Sequence, residues 1–69
     1  MHKSPTKKQL DTLLQYYKNK DYKNAEKLAE NLTKNFPNHE LSWKILSISY
    51  KKLGKILNSV NALQKIIII

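Results

Sequence analysis

Apolar residues recur at intervals of three and four in four separate runs along the chain, the spacing that lines one face of an α-helix. Leu10, Leu13, Leu14 and Tyr17 mark the first run. Ser4 can accept an orphan amide and Pro5 supplies the φ of a first turn, so the pair predicts a helix over about residues 5 to 19. Asn19, Lys20 and Asp21 read as a turn, with Asp21 capping a second helix whose apolar positions are Tyr22, Ala25, Leu28, Ala29, Leu32 and Phe36. Pro37 ends that helix because proline cannot donate to its ladder. Asn38 is the expected cap of a third helix carrying Leu41, Trp43, Ile45, Leu46, Ile48, Tyr50 and Leu53, and Gly54 closes it in the left-handed conformation. A fourth helix from about residue 55 is expected to bury Ile56, Leu57, Val60, Leu63, Ile66 and Ile67.

Composition narrows what four such helices can build. The 69 residues hold one small domain, and a chain of this size buries only roughly 60% of its unfolded surface. Cysteine is absent, which excludes disulfide reinforcement and thiolate metal sites. The balance of 41% hydrophobic and 26% charged residues belongs to a folded protein, and one glycine and two prolines leave few turns. The predicted class is all-α.

Sliding the chain along itself until Leu14 falls on Ile48 also lays Tyr16 on Tyr50, Tyr22 on Ile56, Ala25 on Ser59 and Leu32 on Ile66. A helical hairpin that cannot bury its own face is stabilised by stacking on a copy of itself, which is why such a period matters. Trp43, Leu46, Ser47, Tyr50, Gly54, Ser59 and Leu63 follow the order and spacing of the tetratricopeptide repeat, and in this the chain resembles that family. The first copy matches through Tyr16, Ala25, Ala29, Leu32 and Pro37, with Gln9 in place of the tryptophan and Lys20 in place of the glycine; Ile66 departs from the small residue expected in the second. The resemblance implies two antiparallel helix-turn-helix units forming a short right-handed α-solenoid. An N-terminal tail at 1–4 precedes hairpins at 5–37 and 38–69, the second truncated at its C-terminal end. The stretch LAENLTKNFPNHELSW, Leu28 to Trp43, is also similar to the opening repeats of bacterial chains in which such repeats precede a glycosyltransferase or sulfotransferase domain. That likeness implies the leading part of a longer protein.

Candidate chemistry is sparse. No nucleophile elbow, glycine-rich phosphate loop or zinc pattern occurs, and no catalytic activity, cofactor or metal is expected. His2 and His39 lack a ligand-spaced partner. Glu26 and Glu30 share a helix face with Lys23, Lys27 and Lys34 at nearby turns, which predicts a solvated ion-pair surface. Asn31-Leu32-Thr33 matches a glycosylation acceptor but falls within the second helix. The longest apolar run, Ile66 to Ile69, is far shorter than the about 20 residues of a membrane span. No secretory signal is recognised and cysteine is missing, so the expected location is the cytoplasm.

The net charge of +8 arises from thirteen lysines and no arginine against five carboxylates. Base and phosphate readers favour arginine for its planar fork, so nucleic acid is the less favoured partner and a small lysine-rich nucleic-acid-binding domain the alternative. Seven asparagines and seven isoleucines share lysine's adenine- and thymine-rich codons, so genome composition is a second source of the basicity. By resemblance, the first helix of each unit lines a concave surface, placing Lys7, Leu10, Leu14, Tyr17 and Lys18 beside Leu41, Lys44, Ile48, Lys51 and Lys52. An apolar floor edged by ammonium groups suits a protein or peptide partner that is acidic or ends in a free carboxylate. Four consecutive isoleucines cannot all face inward around a helix, so self-association through the fourth helix is also expected.

Overall fold

A computed structural model describes residues 4–68 and places them in four helices: α1 (Lys7–Lys18), α2 (Tyr22–Asn35), α3 (Glu40–Lys52) and α4 (Ile56–Ile68). There is no strand among the described residues, as the 3.6-residue periodicity requires. Each helix packs on its neighbour in sequence, most extensively α3 on α4 and α2 on α3, and least α1 on α2. The backbone spans 36 × 28 × 14 Å. A body so thin gives each helix few neighbours, and the core is correspondingly small: Leu13, Ala25, Ala29, Leu32, Ile45, Leu46 and Ala62.

The helix starts differ from expectation at two of three caps. Helix α1 begins two residues later than Ser4 and Pro5 predict, because Thr6 and Gln9 form a reciprocal capping box. The Thr6 hydroxyl accepts from the Gln9 amide at 3.1 Å, and the Gln9 side chain accepts from the Thr6 amide at 2.8 Å. Two orphan donors are thereby satisfied, where Ser4 would satisfy one. Asp21 caps α2 as predicted, accepting from Asn24 N–H at 3.4 Å and from its side-chain amide at 2.7 Å. At α3 the cap is His39 rather than Asn38, its Nδ1 accepting from Ser42 N–H at 3.3 Å. The Ser42 hydroxyl lies 2.8 Å from the same nitrogen.

The two turns within the pairs α1–α2 and α3–α4 carry one hydrogen-bond pattern, at positions that the shift laying Leu14 on Ile48 brings together. Asn19, Lys20 and Asp21 N–H donate to Gln15, Tyr17 and Tyr16 carbonyls; Leu53, Gly54 and Lys55 N–H donate to Ser49, Lys51 and Tyr50 carbonyls. Both are six-to-one closures of a helix end, which need a residue in the left-handed region. Gly54 occupies it at φ 82°, as predicted, and Lys20 occupies it at φ 59°. Lysine in the glycine position therefore left the turn intact at a conformational cost.

Helix α4 overturns the expected burial. Ser59 and Ala62 are its buried residues, Ile66 is half-buried, and Ile56, Leu57, Val60, Leu63 and Ile67 are exposed. The reason is the closeness of the α3 contact: the Ser47 hydroxyl lies 3.0 Å from that of Ser59 and 3.3 Å from its carbonyl oxygen. Small residues bring the two backbones together, and the larger side chains flanking them have no second helix to pack on. Ile67 and Ile68 meet solvent, while His2 and Ile69 lie outside the described residues.

Candidate functional site

The positions predicted on α1 and α3 correspond by the repeat shift, but only Leu14 with Ile48 and Lys18 with Lys52 keep the same character. Lys7, Leu10, Leu14, Tyr17 and Lys18 map by the repeat shift onto Leu41, Lys44, Ile48, Lys51 and Lys52, each set at helical spacing on one side of its helix. Leu10, Leu14, Tyr17 and Ile48 are half-buried, and Leu14 and Tyr17 pack against the core. The Tyr17 ring meets Tyr22 of α2 edge-on at 6.4 Å, which braces it from behind. Leu41 and all five lysines of the two sets are exposed. Lys44 is shared with Glu40 at 3.2 Å, an exposed pair of the kind that contributes little. Among the described residues, Lys7, Lys18, Lys51 and Lys52 make no ion pair, so their charge faces solvent. The extensive helix contacts run through α2, so α2 rather than direct packing links the α1 set to the α3 set.

A polar cluster that the sequence assigned to local pairing instead ties α2 to α3 and its following turn. Glu26 is 7% exposed and pairs with Lys55 at 2.6 Å, far along the chain. Glu30 accepts a hydrogen bond from the Tyr50 hydroxyl at 2.6 Å, and the Lys55 ammonium lies 6.0 Å from the Tyr50 ring centre. These contacts replace the expected surface pairs with Lys23, Lys27 and Lys34. Burial, the hydrogen bond to Glu30 and the charges of Glu30 and Glu26 raise the Tyr50 pKa well above that of an ordinary phenol.

A cleft of about 290 Å³ opens between α3 and α4, lined by Trp43, Leu46, Tyr50, Asn58, Asn61, Ala62 and Lys65. None of the predicted surface residues lines it. Ala62 stands where the repeat shift places Leu28 in the first pair, so a short side chain leaves this space open. The sequence alignment contained that signal. Trp43 is half-buried at the rim, anchored by its indole N–H donating to the Pro37 carbonyl at 2.7 Å. As expected, Asn31 of the glycosylation pattern lies inside α2, with Leu32 and Thr33 buried. Among the described residues no three His, Asp or Glu side chains gather as metal ligands, and no helix is long and apolar enough to cross a membrane. Compared with models of protein families, with curated proteins and with solved structures, the chain matches none.

Proposed function

We propose that the chain is a non-enzymatic helical-repeat module of the tetratricopeptide type, which holds an acidic peptide, or one ending in a free carboxylate, on the α1 and α3 surface. The observation carrying this reading is the set of exposed lysines around half-buried Leu10, Leu14, Tyr17 and Ile48 on α1 and α3, in two helix pairs that close with the same turn pattern. Unpaired ammonium groups supply the attraction and orientation of an anionic partner, and the apolar residues supply contact area. Two repeats offer a short surface, so the affinity is weak. The cysteine-free composition suits a reducing compartment, and the proposal places the module in the cytoplasm.

The test titrates an acidic peptide with a free C-terminus against the same peptide amidated and against single-stranded DNA of equal charge. Binding of the free-carboxylate peptide, lost in Lys44→Glu with Lys51→Glu at unchanged helicity, supports the reading. Affinity that survives charge reversal removes the lysines from the site. Preference for DNA, with a steep log-log salt slope and little dependence on base sequence, favours the nucleic-acid alternative.

A further inference from the structure

The correspondence between the two helix pairs makes the first a template for reading the exposed face of α4. Helix α2 packs between α1 and α3, and along it Tyr22 is half-buried while Glu26, Ala29 and Thr33 are buried. Their counterparts in α4 are Ile56, Val60, Leu63 and Ile67, which are 56%, 46%, 48% and 84% exposed. Three of these four positions are thus buried in α2 and exposed in α4. Helix α4 uses a different seam, Ser59 and Ala62, to meet α3.

Three features define what fits the bare face. Its residues follow the intervals four, three, four, which is the d, a, d, a phase of a coiled coil with Val60 and Ile67 at the a positions. Where α2 offers Glu26 to Lys55 and Glu30 to Tyr50, α4 offers Val60 and Gln64, so no carboxylate awaits a cationic partner. Lys65 is the one charged residue in Ile56–Ile68, and the other three helices each carry several. In a chain of net charge +8, α4 is the face through which two copies meet with least repulsion. An uncharged aliphatic seam is complementary to another, and the chain carries one.

We infer that two copies of this chain pair through α4, each seam of Ile56, Val60, Leu63 and Ile67 packing on the other as a short two-helix coil. β-branched residues at the a positions favour two strands. The seam supplies a few hundred Å² of aliphatic surface per copy, below the about 800 Å² per partner of a standard interface, so the dimer is weak and concentration-dependent. This surface is separate from the lysine-bearing face of α1 and α3, and its test does not depend on that reading.

Sedimentation velocity over a wide concentration range decides the matter. The expected result is a mass rising from 8.1 kDa toward twice that value and levelling there. Ile67→Lys, at the most exposed seam position, and Leu63→Lys should each hold the protein at the monomer mass with unchanged helicity. Asn61→Lys adds the same charge to an exposed α4 position off the seam and should leave the dimer intact. A chain that stays monomeric at the highest concentration, an assembly that grows past two copies, or a dimer that survives both seam variants would overturn the proposal. Because Ile67 is largely exposed, a loss of pairing in Ile67→Lys cannot be ascribed to a broken core.

Discussion

Lys20 and Gly54 occupy equivalent positions of the two helix pairs in the same left-handed conformation, at φ 59° and 82°, each ending the first helix of its pair. Lysine there carries a steric cost that glycine avoids, about 1 kcal/mol for an L-residue in this region. A Cβ on Gly54 would touch nothing within 4 Å, so the cost of filling that position is conformational alone. Lys20→Gly should therefore stabilise the fold by up to about 1 kcal/mol, and Gly54→Ala should destabilise it by about the same amount. Urea denaturation of the two variants checks both signs; a destabilised Lys20→Gly would show that contacts of the lysine stem outweigh its backbone strain.

The Glu26–Lys55 pair is unequally buried, and its two halves should not be equivalent to mutation. The carboxylate side chain is 9% exposed and the ammonium side chain 48%. Lys55→Met leaves a buried charge without its partner, whereas Glu26→Gln frees an ammonium that water can reach. The expected loss is about 1 to 2 kcal/mol for Lys55→Met, the exposed lysine having been screened already, and less than about 1 kcal/mol for Glu26→Gln. A double-mutant cycle measures the coupling. Equal losses would mean that Glu26 is hydrated well enough to do without Lys55.

Tyr50 links stability to alkaline pH. Its pKa is raised in the folded state by burial and by Glu30, so the neutral phenol is the form the fold prefers. The contribution is fully present below the unfolded phenol value of about 10 and is lost as pH rises above it, since unfolding then releases a proton. Ultraviolet titration should show a late-ionising fraction of the tyrosinate signal that is absent in Tyr50→Phe. The fall in stability between about pH 10 and 11 should be shallower in that variant. An unchanged titration curve would detach Tyr50 from this effect.

Trp43 combines a half-buried ring against the core with an indole hydrogen bond to the Pro37 carbonyl. Trp43→Phe retains most of the apolar contact and loses the bond, for an expected cost of about 1 kcal/mol. Trp43→Ala removes both and should cost about 3 kcal/mol, the lower end for a large aromatic because the ring is partly exposed. Thermal and urea melts of the pair separate the two terms. A loss below about 1 kcal/mol in Trp43→Ala would mean that the ring contributes little packing.

The chain's local order was legible in its residues: four helices, Asp21 as a cap and Gly54 at a left-handed turn. These depend on hydrogen bonds and side-chain spacings within a turn or two, which the order of residues specifies directly. Even there, competition among neighbours mattered, for Thr6 with Gln9 displaced Ser4, and His39 displaced Asn38. The lysines and the apolar floor of the candidate surface could likewise be placed on helix faces from spacing alone. What only the tertiary structure decided was which faces have neighbours and which charges meet across them. Glu26 and Glu30 find Lys55 and Tyr50 because α2 docks against α3, and Ser47 with Ser59 draws α4 so close that Ile56, Val60, Leu63 and Ile67 are left uncovered. Periodicity reveals that a helix has an apolar side; burial requires a second surface to arrive there, and that depends on the packing of residues distant in the chain.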